Sequence, residues 1–299
     1  EDGGVTLVVG NDGGTYSQSV GVGEDLTKEW GRGNQAGYNA NTLLPYDASA
    51  AKDGTVAFGL QDNGSGVIRP DGRVVETFGG DGFFAAIDPD DSDVYYNETT
   101  LADMRVTQDG GRSYTTIAPP VTNPMFSNPF VMDPTDADHL LTGGPEIVER
   151  TSGPSGEWVQ VFNLDNEEIT GRQMTAVELH GDAAYVGFCS VCDIVNKDPE
   201  LGQVFQNGLA TNVAGSEPPE KGSSAGWQIV PASGAPNRYI TGIAADPADP
   251  ETVYVSLGGY ANRQWWPPGS FNDRNPNFGE GHVYRSTDGG RSFTDVSGN

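Results

Sequence analysis

The chain has 299 residues, with 42 acidic against 16 basic side chains, a formal net charge of −26 at pH 7, 35% hydrophobic residues, 42 Gly and 20 Pro. So much negative charge repels a phosphate backbone or an anionic membrane surface, which excludes nucleic acid as a partner, and no apolar run reaches the roughly 18 residues of a membrane span. An apolar content of that size among so many turn formers predicts short strands around a buried core, not disorder.

In chain order, the first predicted strand is Val5-Thr-Leu-Val-Val9, followed by Gly13-Gly14-Thr-Tyr16. A unit then recurs at a spacing of roughly 36 to 69 residues, the signature of a repeat architecture. Its first part is a strand ending in an Asp-Pro turn: Phe84-Ala-Ala-Ile-Asp88-Pro89, Phe130-Val-Met-Asp133-Pro134 and Ile243-Ala-Ala-Asp246-Pro247. A second strand follows each turn, as Val94-Tyr-Tyr96, His139-Leu-Leu141 and Val253-Tyr-Val255. The third part is a hairpin, Thr107-Gln-Asp109-Gly-Gly111-Arg-Ser113-Tyr114 and again Ser286-Thr-Asp288-Gly-Gly290-Arg-Ser292-Phe293. Glycine accepts positive φ there, Asp and Ser or Thr bond the turn amides, and the closing aromatic packs between sheets. Weaker copies pair Asp25 with Trp30, Pro70-Asp-Gly72 with Phe78, Thr151 with Trp158, and Gly222 with Trp227.

Six copies of four strands, A to D from the axis outward, predict an all-β fold: a β-propeller of four-stranded antiparallel blades, at 1–33, 34–80, 81–120, 121–165, 166–233 and 234–299. The last blade has A near 239–246, B at 252–257, C at 281–286 and D at 292–297. By the same phase Val5–Val9 is a B strand with no A strand before it, so its inner neighbour is expected from residues upstream or from another polypeptide. With neither an initiator Met nor a signal peptide before Glu1, the chain reads as a processed segment of a larger, exported protein.

The hairpins resemble the Asp boxes, or BNR repeats, of sialidases, sortilin-type receptors and xyloglucanase-type glycosidases. Val9-Gly-Asn-Asp12-Gly-Gly, Gly59-Leu-Gln-Asp62-Asn-Gly64, Gly79-Gly-Asp81-Gly82 and Gly281-His-Val-Tyr-Arg-Ser-Thr-Asp288-Gly-Gly290 resemble large secreted bacterial repeat proteins labelled sialidase-like or glycosyl hydrolase. This resemblance implies a secreted propeller in which Asp109, Gly111, Asp288 and Gly290 are structural. Asn11-Asp12-Gly13-Gly14-Thr15-Tyr16 is similar to a segment holding one catalytic carboxylate of xyloglucanases, with Asp81 as the counterpart of the other and Asp62 in reserve. The Tyr/Phe-Arg-Ile/Leu-Pro motif of true sialidases is absent.

Strand order puts the A–B and C–D connections on one face and the B–C and D–A connections on the other. Asp12, Asp62, Asp81, a Cys189–Cys192 loop and a long insertion at 258–280 fall on the second face, where function is expected. Within the insertion, Trp265, Trp266, Asn272 and Asp273 form a candidate ligand-binding set, the Trp rings either facing a sugar or packing under their own loop. With no other Cys and only three scattered His, Cys189 and Cys192 do not make a zinc site; in an exported chain they predict a local disulfide, with free thiols and then redox catalysis as the alternatives. No metal site or cofactor is expected, although the acidic surplus also suits calcium. Two functions remain open: a non-catalytic propeller binding carbohydrate or an extracellular protein through its loop-rich face, and a glycoside hydrolase working with paired carboxylates.

Overall fold

The computed structural model describes residues 5–11, 14–21, 23, 31–32, 45–190, 206–258 and 282–298. Among them, 23 strands form six antiparallel sheets in chain order, and the helical content is one 3-10 turn at Gly153–Ser155. Blade 1 holds β1 (Val5–Asn11), β2 (Gly14–Val20) and β3 (Gly31–Arg32). Blade 2 is β4 (Pro45–Ala50), β5 (Val56–Leu60), β6 (Gly64–Ile68) and β7 (Val74–Phe78); blade 3 is β8 (Ala85–Ile87), β9 (Tyr95–Glu98), β10 (Met104–Thr107) and β11 (Thr115–Thr116). Blade 4 is β12 (Phe130–Asp133), β13 (Asp136–Gly143), β14 (Glu146–Arg150) and β15 (Trp158–Asn163). Blade 5 is β16 (Gln173–His180), β17 (Ala183–Cys189), β18 (Asn207–Thr211) and β19 (Gln228–Val230). Blade 6 is β20 (Ile240–Asp246), β21 (Asp249–Leu257), β22 (Val283–Ser286) and β23 (Thr294–Asp295). Each sheet is a meander whose hydrogen-bonded neighbours are consecutive in sequence, the plan of a β-propeller.

The core lies between blades, because each interior sheet buries both faces. Successive side chains on a strand point to opposite faces, so a strand sandwiched between two sheets reads as an unbroken apolar run. Ala183–Cys189 is such a run, buried throughout: Tyr185 joins the cluster shared with blade 6, while Ala184, Val186 and Phe188 join the one shared with blade 4. Tyr95 and Tyr96 divide in the same way between blades 2 and 4. Burying each of these rings stabilises the stack by about 1.5–3 kcal/mol, the scale for a large side chain removed from water.

Turn chemistry fixes the ends of the strands. At the A–B turns, Asp88 accepts the Asp90 and Asp91 amides, Asp133 the Thr135 amide, and Asp246 the Ala248 amide. At the C–D turn of blade 6, Asp288 accepts the Ser292 amide at 2.9 Å and the Ser286 hydroxyl at 2.7 Å, while the Gly290 amide donates to Ser286 Oγ at 2.9 Å. Asp109 does the same in blade 3 with Ser113 and Thr107. A Cβ on Gly111, which has φ of 89°, would stand 2.2 Å from the Tyr95 hydroxyl, so both backbone and space require glycine.

The Ser292 hydroxyl, ahead of the other donors, holds the Asp288 carboxyl down to about 2. Its stabilising charge is present above the ordinary Asp range and lost as pH falls through about 2. Asp288→Ala is expected to lower the melting temperature at pH 7 by a few degrees, on the order of 1 kcal/mol, and the gap from wild type should close below pH 4. A gap that persists at pH 2 would show that the turn does not depend on that charge.

Tyr114, Trp158, Trp227 and Phe293 all stand at the start of their D strands, none of them exposed. Phe78 departs from this pattern. It closes β7 instead of opening it, and the first position of that strand is taken by the exposed Val74. The reason is the connection before it: blade 2 has no Asp-Gly-Gly turn there but a tight one, closed by Gly72 donating to the Arg69 carbonyl and Arg73 to the Asp71 side chain. Phe78 still reaches the interblade layer, with its ring 4.5 Å from that of Tyr114. Trp30 lies outside the described residues.

Candidate functional site

The A strands line the axis. β4, β8 and β12 border a cavity of about 330 Å³, and neighbouring A strands are clipped together by side chains: Asp47 accepts the Ala85 amide and Ser49 the Ile87 amide. The loop-rich mouth of this axis is where the fold departs furthest from relaxed geometry. Among the described residues, the non-glycine positions with positive φ are Asp62, Leu101, Ala102, Asn123 and Ala232. All five lie in B–C or D–A connections. Such conformations cost on the order of 1–2 kcal/mol each and persist only where the surroundings enforce them.

At Leu101 and Ala102 the enforcing groups are visible. The Leu101 amide donates to the Phe126 carbonyl at 2.9 Å, and the Ala102 amide to Glu98 Oε1 at 3.2 Å. The strained turn thereby turns Leu101 outward, 58% exposed, beside Phe126, which is 56% exposed. Phe83 lies beneath, its ring 5.5 Å from Phe126 and 4.9 Å from Tyr46, and Tyr46 is itself 49% exposed. Gly59 permits this placement, since a Cβ there would lie 1.9 Å from the Phe83 carbonyl oxygen. Across the mouth, Met125 packs against Cys189 and the buried Tyr239. Burial, and then the Tyr46 phenol, push the Tyr239 hydroxyl upward.

Below the rings lies a polar layer. Glu98 is fully buried; Oε1 accepts the Ala102 and Asn128 amides, while Oε2 has no hydrogen-bond partner. Desolvation outweighs the amide contacts and pushes its carboxyl up to about 9, so it is a neutral acid at pH 7. Asn128 extends the layer by donating to Thr142 at 3.0 Å. Arg172, also buried, donates to the Leu164 carbonyl and, at 2.8 Å, to Gln206. The mouth is therefore an exposed aromatic strip on a strained floor in which Glu98 is a neutral acid and the Arg172 guanidinium is held by the Leu164 carbonyl and Gln206.

Of the residues singled out from sequence, Asp62 and Asp81 are brought together: Asp81 Oδ1 accepts the Asp62 amide at 2.9 Å, tying the B–C turn of blade 2 to its D–A connection. Cys189 ends β17 and is disulfide-bonded. Asp12, Cys192, Trp265, Trp266, Asn272 and Asp273 lie outside the described residues. Tyr46, Phe126, Glu98 and Arg172 were not singled out from sequence. The signal available for Glu98 was a carboxylate two residues beyond the expected strand Val94-Tyr-Tyr96. Among the described residues, no group of three or more His, Cys, Asp or Glu is placed to hold a metal ion, and no helix is long and apolar enough to cross a membrane.

Solved structures share this architecture. An ancestral GH74 enzyme superposes with a TM-score of 0.53 at 14% identity, over 96% of this chain and 44% of its own. The GH74 enzyme of Niastella koreensis gives 0.53 at 15% identity over the same shares, and YCF48 from Cyanidioschyzon merolae gives 0.51 at 12% identity over 94% and 81%. At such identities the likeness establishes the fold alone, and that fold is a β-propeller. The chain spans less than half the length of the two GH74 enzymes. No protein-family model matches the sequence, and no curated protein matches it.

Proposed function

We propose that the chain is an Asp-box propeller of an exported protein, and that it binds carbohydrate through the axial mouth of its loop-rich face. The observation that carries this reading is the strip of Tyr46, Phe83 and Phe126. Two half-exposed rings are seated on a third that holds them in place, and such rings suit the apolar faces of sugars. The floor agrees, because Glu98 is a neutral acid and Arg172 already donates to the Leu164 carbonyl and Gln206. Tyr46→Ala and Phe126→Ala are each expected to abolish retardation of the chain in polysaccharide affinity gels while leaving its melting temperature within 1–2 °C of wild type, as exposed positions do. Unchanged retardation in both variants would reject the mouth as the site.

One observation favours the second reading, a glycoside hydrolase: Asp62 and Asp81 meet although 19 residues apart. A hydrolase needs one carboxyl to protonate and a partner about 5–9.5 Å away. Asp81 is instead engaged by the Asp62 amide, which makes it a brace for the turn. Wild-type chain is accordingly expected to release no reducing sugar from xyloglucan; release that disappears in Asp81→Asn would reverse the choice.

A further inference from the structure

On the opposite face, between blades 2 and 3, lies a notch of about 390 Å³ lined by Arg69, Arg73, Val75, Asp93, Gly110, Gly111 and Arg112. Its volume falls within the roughly 300–1,000 Å³ typical of small-molecule sites. Three of the chain's 16 basic residues converge there, in a protein with 42 acidic ones. Their states differ. Arg69 is fixed as a strut, donating to the Gly110 carbonyl at 2.7 Å and the Ser92 carbonyl at 3.4 Å, with Asp93 3.9 Å away. Arg112 donates one N–H to the Asp109 carbonyl at 2.8 Å. Among the described residues, neither Arg73 nor Arg112 has a carboxylate at ion-pair distance, while the nearby Lys52 is paired to Asp90 at 2.6 Å.

We propose that this notch binds the carboxylate of a uronic-acid sugar. Guanidinium forks match a carboxylate through two parallel N–H bonds, and the free donors of Arg73 and Arg112 come from adjacent blades that Arg69 locks together. The two walls are thus fixed by Arg69, while the exposed Arg73 and Arg112 side chains close on the ligand at some ordering cost. A net charge of −26 opposes each negative charge a ligand adds, so a monoanionic carboxylate is favoured over phosphate, sulfate or a polyanion. Asp93, half exposed on the same wall, accepts a ring hydroxyl, and Val75 offers the apolar contact a sugar ring can use. Plain acetate has no ring hydroxyl for Asp93 and offers Val75 only a methyl group.

This site is independent of the axial mouth, and its test does not involve Tyr46 or Phe126. Titration of the full chain at low salt with methyl glucuronide, methyl glucoside and acetate, followed by calorimetry, is expected to show binding of the glucuronide about tenfold or more tighter than of either other probe, the scale of a charge-assisted pair. Arg73→Gln and Arg112→Gln should each weaken the glucuronide by a similar factor. Lys52→Gln removes the same charge from the same face outside the notch and should change it less than twofold. Added salt should weaken binding. The proposal is overturned if glucoside binds as tightly as glucuronide, if acetate does, or if Lys52→Gln costs as much as the two arginine variants.

Discussion

Glu98→Gln is expected to stabilise the protein by about 3 kcal/mol at pH 7, an unusual direction for a change at a buried polar residue. In the folded chain burial pushes the carboxyl up to about 9, whereas in the unfolded chain it ionises near 4.5. Below pH 4.5 both states are protonated and the group costs nothing. Between about 4.5 and 9 the unfolded state releases its proton while the folded state keeps it, so stability falls steadily as pH rises, then levels off. Glutamine retains Oε1 as acceptor for the Ala102 and Asn128 amides and does not titrate. Urea unfolding of both proteins at pH 4, 7 and 9 should show curves that coincide at pH 4 and diverge progressively above it. Equal spacing at all three pH values would mean that the carboxyl is not held neutral in the fold.

The part of this architecture that could be read from sequence is the part governed by local chemistry. Asp-Pro turns appear where Asp88, Asp133 and Asp246 bond their own following amides. The Asp109 and Asp288 hairpins carry their turn bonds within a few residues, so the motif contains its own explanation. Strand order then follows, because meandering hairpins are the shortest route between such turns. The mouth depends on distant partners instead. Tyr46 and Phe126 belong to different blades, and neither has a motif; what joins them is Phe83, from a third connection. Glu98 looks like an ordinary strand-end carboxylate until Asn128, 30 residues away, and the Ala102 turn close over it. Asp62 and Asp81 were conspicuous by their glycines, which is also the signature of the brace they form.

Arg172→Ala is expected to cost about 2–5 kcal/mol, the scale for two buried acceptors left without their donor together with the loss of a large buried side chain. The side chain is 1% exposed and lies just before β16, with its guanidinium over the Phe188 ring at 5.3 Å. Its donors reach the Leu164 carbonyl in the connection from blade 4 and Gln206 beside β18 of blade 5, so one residue joins two connections at the mouth. Alanine leaves both acceptors without their donor and a void beside Phe188, and the two losses reinforce each other. Lysine restores the charge but not the fork, so it can serve only one of the two acceptors; Arg172→Lys should fall between alanine and wild type. The urea midpoint measures both. If lysine matches wild type, the charge alone matters and the fork does not; if alanine is tolerated within 1 kcal/mol, the mouth is held together by its aromatic strip and not by Arg172.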